Sequence, residues 1–222
     1  MILAGQVFSG ERRLDKPGVA QPDDLPLEVR GGTSPYVSRG GQKLAHALTH
    51  FGIEATDVVA IDVGASTGGF TDVLLQRGAR KVYAVDVGHG QLAWRLRTDA
   101  RVVVLERTNA RYLSHELIPE PADLVVCDAS FISLQTVLPA PLACARPGAS
   151  LVALIKPQFE TGKDGVGKGG VVRDPALHAA VCARVERWLE AGPGWQVLGV
   201  TASPILGPKG NREFLIAARR PS

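Results

Sequence analysis

The sequence is short of cysteine, carries little excess of either charge and has no long unbroken apolar run. Its three cysteines, Cys127, Cys144 and Cys182, are odd in number and far apart, with no C-x-x-C or Cys/His cluster. That argues against a disulfide framework or a structural zinc and fits a reducing cytoplasm. The net charge of +3 permits a nucleic-acid partner without requiring one. No run approaches the roughly 20 apolar residues of a membrane span, and the start does not read as a signal peptide, so a cytoplasmic protein with no membrane partner is expected. No internal repeat is present. At 222 residues the chain can bury one sizeable core with a small appendage.

The organising stretch is residues 58–72, Val-Val-Ala-Ile-Asp-Val-Gly-Ala-Ser-Thr-Gly-Gly-Phe-Thr-Asp. An apolar, β-branched run predicts a buried strand. A turn follows through Gly64, Gly68 and Gly69, then a helix over 70–76. A strand feeding a helix through such a turn lets the backbone approach a nucleoside. The turn predicts cofactor contacts at Gly64, Ala65, Ser66, Gly68, Gly69 and Phe70. The spacing departs from G-x-G-x-x-G, which leans away from NAD.

Residues 1–32 are turn-rich and too poor in apolar side chains for a core of their own. Short strands are expected at 6–8 and 27–29, the end of a helix at 1–4, and a linker over 31–35. From residue 33 onward one unit is expected. A helix is predicted over 42–51, ended by Gly52. Strands follow at 81–87, 101–105, 122–128 and 150–156, with helices at 91–97, at 175–190 capped by Asp174 and partly over 133–144. Strands at 195–201 and 212–218 are separated only by a turn-rich segment and should pair antiparallel. The fold class is therefore α/β: a doubly wound, Rossmann-like, mostly parallel sheet with a terminal antiparallel pair.

In such sheets ligands bind beyond the carboxyl ends of the strands, where Asp62, Asp86, Asp128 and Lys156 fall. Asp86, roughly 20 residues past the glycine turn, is placed to hold ribose hydroxyls. Strand-end aspartates also serve as helix caps. A ribose-bearing cofactor, NAD or S-adenosylmethionine, is implied. The glycine spacing and the final hairpin favour the second. Lys156 closes a buried strand, which is costly unless the lysine is paired or used. An Asp128/Lys156 pair lowers the lysine's proton affinity only against an opposing cation or desolvation. Lys43 is the candidate cation, with Glu213 to hold it.

These residues carry a resemblance. The glycine turn with Lys43, Asp128, Lys156 and Glu213 resembles the Lys-Asp-Lys-Glu tetrad of FtsJ-type ribose 2′-O-methyltransferases. The strings Tyr-Val-Ser-Arg-Gly-Gly-Gln-Lys, Glu-Arg-Thr-Asn-Ala-Arg, Cys-Asp-Ala-Ser-Phe-Ile-Ser-Leu, Leu-Ile-Lys-Pro-Gln-Phe-Glu and Gly-Asn-Arg-Glu-Phe are similar, in consistent order from Tyr36 to the end, to the TlyA or hemolysin A family. The resemblance implies S-adenosylmethionine-dependent 2′-O-methylation of cytidines in ribosomal RNA. It makes ribosomal RNA or subunits the partner and places Asn109 among the cofactor contacts. It also implies an amino-terminal S-four-like RNA-binding module, of which residues 1–30 resemble only the second half. Lys156 is then the base or hydroxyl-orienting group. Asp128 positions it, Lys43 and Glu213 tune the site, and no metal is required. The glycine-rich segment 161–173, with Lys163, Lys168 and Arg173, is a candidate mobile basic loop. Arg12, Arg13, Lys16 and Arg39 extend the basic surface. The rivals are a small-molecule O-methyltransferase and a membrane-lytic hemolysin.

Overall fold

The structure, a computed structural model, describes residues 7–14, 16, 18–29, 34–162, 165–167 and 169–222. The helix end expected at 1–4, much of the expected linker, Lys163 and Lys168 lie outside the described residues.

Three short strands come first: β1 (Val7–Ser9), β2 (Arg12–Arg13) and β3 (Glu28–Val29). They pair antiparallel in the order β2-β1-β3. β1 and β3 lie close to the expected positions. β2 has no apolar alternation to betray it and is defined by its pairing with Phe8 and Ser9.

Helix α1 (Gly40–Phe51) ends where Gly52 turns left-handed (φ 62°) and its N–H meets the carbonyls of Leu48 and Thr49. Then β4 (Val59–Val63), α2 (Gly69–Gln76), β5 (Lys81–Val85), α3 (Trp94–Arg97), β6 (Val102–Leu105) and β7 (Ala122–Cys127) alternate. Two short helices, α4 (Leu134–Val137) and α5 (Pro139–Ala143), lead to the long β8 (Ala145–Ile155). The chain continues through α6 (Pro157–Glu160), α7 (Pro175–Ala191), β9 (Gln196–Ala202) and β10 (Phe214–Arg219). The sheet order is β6-β5-β4-β7-β8-β10-β9. The first five strands are parallel, and β10 runs antiparallel to both β8 and β9. The expected terminal pair therefore forms, with the last strand inserted between β8 and β9.

The period-two side-chain alternation of strands divides the core. Leu151, Ala153 and Ile155 of β8 pack under α4, α5 and α7 with Leu134, Leu142 and Val185. Val152 and Leu154 face the opposite way, into the layer of Leu44, Leu48, Val73 and Leu96 from α1, α2 and α3. Strands buried on both faces explain the near-continuous apolar runs in the sequence.

Two predicted helices come out shorter. Only 94–97 of the segment 91–97 winds, because the preceding residues turn at Gly90 (φ 67°) and Ala93 N–H bonds across to Thr67 O. The segment 133–144 splits into α4 and α5 at Pro139, which has no N–H to continue the ladder. Helix α7 starts as expected, with Asp174 Oδ1 accepting from Ala176 N at 2.9 Å and Pro175 in the first turn.

Candidate active site

The chain leaves β4 toward β5 and β6 on one side and returns to β7 and β8 on the other. The crevice at the carboxyl ends of β4 and β7 is thus the switch point of the sheet, where α/β proteins bind ligands. A cavity of about 440 Å³ opens there.

Backbone builds one side of the cavity. Gly64 (φ 83°) takes a left-handed turn directly after β4, and a Cβ on it would stand 2.9 Å from the Ala129 main chain. Gly64 and Ala65 N–H both bond Val85 O, tying the turn to β5. Asp86, the residue after β5, receives Ser66 N on Oδ2 at 2.8 Å and Gly88 N on Oδ1 at 2.7 Å. Each oxygen keeps a free lone pair for a ligand hydroxyl.

Of the expected cofactor residues, Gly64, Ser66, Asp86, Asn109 and Asp128 line this cavity. Ala65 borders a small adjoining space with Asp86. Asp62, Gly68, Gly69 and Phe70 do not line it. Asp62 is fully buried under the start of α2, where Oδ2 accepts from Thr71 N (2.9 Å) and Thr71 Oγ1 (2.7 Å). Burial pushes its carboxyl up to about 7, reinforced by the negative charges of Asp128 and Asp86 and opposed by the Thr71 bonds. A Cβ on Gly68 would strike Leu92 and Leu96, and one on Gly69 would strike Ser38. Phe70 is a core residue. These four shape the turn from below.

Side chains of Asp128, Ser130 and Phe131 line the other side. The tetrad residues form two ion pairs, and of the four only Asp128 lines the cavity. Lys43, buried on α1, stands 2.6 Å from Glu213 Oε2, just before β10. Among the described residues, Glu213 Oε1 has no hydrogen-bond partner. Lys156, immediately after β8, places Nζ 2.7 Å from Asp128 Oδ1, immediately after β7. That contact is an ion pair rather than an aligned hydrogen bond. The hydrogen bonds of Lys156 go to Ser130 Oγ (2.8 Å) and the Asp128 main-chain carbonyl (3.0 Å). Each buried ammonium thus has its own carboxylate, which burial demands.

Some site residues gave no signal in the sequence. Phe131 is 88% exposed, lines the cavity and holds a left-handed φ of 65°, a strained conformation for a bulky residue. Its ring lies 4.8 Å from that of Phe159 on α6. Glu160, also on α6, has a side chain only 3% exposed and accepts from Leu134 N at 2.7 Å, fastening the loop after β7 to the segment after β8. A phenylalanine reads as core and a glutamate as surface, so only the tertiary structure identifies either. In the basic loop, Arg173 is exposed, and buried Asn211 anchors the segment by bonding Val172 N and Gly170 O. Arg12, Arg13, Lys16 and Arg39 are also exposed.

Residues 36–220 match the family model of the FtsJ-like methyltransferases. The chain is 53% identical over 221 residues to the 16S/23S rRNA (cytidine-2′-O)-methyltransferase TlyA of Mycobacterium tuberculosis, covering 99% of this chain and 82% of that protein. Among solved structures, one from Streptococcus thermophilus that carries the hemolysin name is 43% identical. It has a TM-score of 0.85 and covers 100% of this chain and 81% of its own. The N-methyltransferase NodS from Bradyrhizobium japonicum in complex with S-adenosyl-L-homocysteine is only 16% identical, at a TM-score of 0.57 over 80% of this chain and 85% of that one. It shares the fold alone.

Proposed function

The chain belongs to the FtsJ-like methyltransferase family, and from that premise we propose that it methylates the ribose 2′-hydroxyl of cytidine in ribosomal RNA. The observation that carries this reading is the pair of buried lysines, each held by its own carboxylate, with Asp128 bordering the cavity.

The residues fit S-adenosylmethionine. The cavity falls within the range of roughly 300–1,000 Å³ usual for small-ligand sites. Asp86 offers its remaining lone pairs to ribose hydroxyls, and the bare backbone at Gly64 lets a nucleoside approach. When bound, the cofactor supplies a sulfonium-activated methyl group, so the protein does not have to create an electrophile. Its task is to position an alcohol. Lys156 fixes the direction of the hydroxyl's lone pair and, in its neutral form, receives the proton released as the O–C bond forms. Asp128 holds Lys156 in place. Lys43, oriented by Glu213, adds a second positive charge to the site.

The division into residues 1–32 and 33–222 belongs to this reading, with the first part contributing RNA contact. Exposed Arg12 and Arg13 on β2 support it. A cytoplasmic site of action, where ribosomes are, belongs to the same reading. Among the described residues no helix is long and apolar enough to cross a membrane.

The test is methyl transfer from labelled S-adenosylmethionine to ribosomal subunits by wild type and Lys156→Ala. Label is expected in the RNA ribose, with the variant slower by about 10²- to 10⁴-fold at unchanged cofactor affinity. Full turnover by the variant removes Lys156 from the chemistry. Label confined to small molecules favours the small-molecule reading, and lysis by purified protein without cofactor favours the hemolysin reading.

A further inference from the structure

Among the described residues, three protein oxygens surround Lys156 Nζ: Asp128 Oδ1 as an ion-pair contact at 2.7 Å, and the Asp128 carbonyl and Ser130 Oγ as hydrogen-bond partners. Asp128 and Ser130 line the cavity and Lys156 does not. A ribose hydroxyl that comes from the cavity therefore meets these neighbours first, and one of them has to give way.

The three neighbours are not equivalent. The Asp128 carbonyl is fixed by the backbone, since Asp128 N–H bonds Val63 O at 3.0 Å. The Asp128 carboxylate carries the charge that a buried ammonium requires. Ser130 is exposed, and its hydroxyl turns about a single side-chain torsion. It is also the only one of the three that both donates and accepts, and so the only one that serves the lysine in either protonation form. A ribose 2′-hydroxyl has the same property. Finally, Ser130 lines the cavity, whereas Lys156 is buried. The lysine reaches the cavity at the place where Ser130 stands.

We propose that Ser130 Oγ occupies, in the substrate-free enzyme, the position at Lys156 Nζ that the substrate 2′-hydroxyl takes, and that substrate binding exchanges one hydroxyl for the other. The inference rests on the function proposed above. The exchange replaces one hydroxyl acceptor by another, so the donor that Ser130 releases does not stay unfilled. It also makes the hydroxyl contribute little to binding, because the bond gained to ribose replaces the bond lost to Ser130. Ser130 is thus a positioning residue that acts through Lys156.

The test compares wild type, Ser130→Ala and Ser130→Thr. The ligand is a ribosomal RNA fragment that the wild type methylates, made with ribose or 2′-deoxyribose at the methylated position. For wild type the two RNAs should bind within about twofold of one another, since the hydroxyl bonds cancel. In Ser130→Ala only the ribose form fills the donor left open. Its affinity should exceed that of the deoxy form by about threefold to tenfold, and KM for the ribose substrate should fall with a smaller change in kcat. Ser130→Thr keeps a hydroxyl and should behave as wild type. Equal cofactor affinity in all three proteins checks the fold. An unchanged ribose-to-deoxyribose ratio in Ser130→Ala overturns the exchange. So does a hundredfold fall in kcat without a change in that ratio, which makes Ser130 a proton relay instead. If the wild type methylates no ribosomal RNA, the functional reading itself fails and the inference falls with it.

Discussion

The two walls of the cavity are made differently. The wall at β4 and β5 is main chain: Gly64 against Ala129, Gly64 and Ala65 on Val85 O, and Ser66 and Gly88 N–H on Asp86. The wall at β7 is side chain: Asp128, Ser130 and Phe131 line it, with Lys156 on Asp128, Phe159 on Phe131 and the Lys43–Glu213 pair outside the lining. The first wall is local, with its hydrogen bonds all between residues 64 and 88. The second gathers residues 43, 128, 156 and 213, and its Lys43–Glu213 pair spans 170 positions. A backbone wall suits a cofactor common to many reactions. A side-chain wall suits the step particular to one substrate, because side chains change without refolding the turn.

The comparison is broken most severely at Gly64. A valine there places Cβ against the Ala129 main chain, which cannot withdraw, and demands a left-handed φ from a β-branched residue. Cofactor affinity should fall by at least about a hundredfold, the factor that roughly 2.7 kcal/mol represents. The Lys43–Glu213 pair, on the other wall, should still hold. Calorimetric titration with S-adenosylhomocysteine measures the loss, and near-wild-type binding would show that the glycine is dispensable.

The next largest effect is on the side-chain wall. Glu213→Gln leaves the Lys43 ammonium buried without a countercharge, which costs about 3–5 kcal/mol. Denaturant unfolding should report that loss together with a fall in methyl transfer. The double variant Lys43→Met/Glu213→Leu removes both charges and should recover much of the stability while remaining defective in methyl transfer. A double variant as unstable as the single one would mean that the pair acts through shape rather than charge.

The same contrast decides how much was legible in the sequence. Val59–Val63, its glycines and Asp86 follow one another along the chain, so spacing alone locates the turn and the carboxylate after β5. The parallel sheet and the antiparallel return of β10 follow from the order of apolar runs. Spacing does not separate Gly64, which faces the cavity, from Gly68 and Gly69, which fit Leu96 and Ser38. Nor does it show that Asp62 points down into α2 rather than outward. The tetrad was legible as strand-end charges plus a resemblance. The assignment of Lys43 to Glu213 and Lys156 to Asp128 was proposed from position and is seen in the structure. Ser130, Phe131 and Glu160 were illegible as site residues because their partners, Lys156, Phe159 and Leu134, lie more than 20 positions away in the chain.

Asp62 connects the two walls through its charge. Its folded carboxyl sits at about 7 and its ordinary value is 3.8, so the folded state keeps a proton that the unfolded chain has lost. Stability from this group is complete below pH 4 and is lost as pH rises through 7. Across that window the loss is on the order of 4 kcal/mol, at 1.36 kcal/mol per pH unit. Asp62→Asn keeps an oxygen for Thr71 and removes the titration. Wild type should unfold at lower urea at pH 8 than at pH 5, with the gap reduced in the variant. An equal gap in both proteins would place the responsible group elsewhere.

The smallest effect tests whether the side-chain wall is held as a unit. Glu160 lies beyond the ion pairs, yet it accepts Leu134 N where the loop of Asp128, Ser130 and Phe131 enters α4. Removing that acceptor leaves a helix-start N–H unfilled, at about 0.5–2 kcal/mol. Glu160→Ala should therefore lose a little stability and raise KM for RNA severalfold, because the strained φ of Phe131 is no longer held from both ends. Glu160→Gln retains an acceptor oxygen and should restore both. Cofactor affinity should stay at the wild-type value throughout, since the hydrogen bonds of Asp86 and the Gly64 turn run to Ser66, Gly88 and Val85 rather than to α6. A weakened cofactor in Glu160→Ala would mean that the walls are mechanically coupled, and the division between a backbone side for the cofactor and a side-chain side for the substrate would not stand.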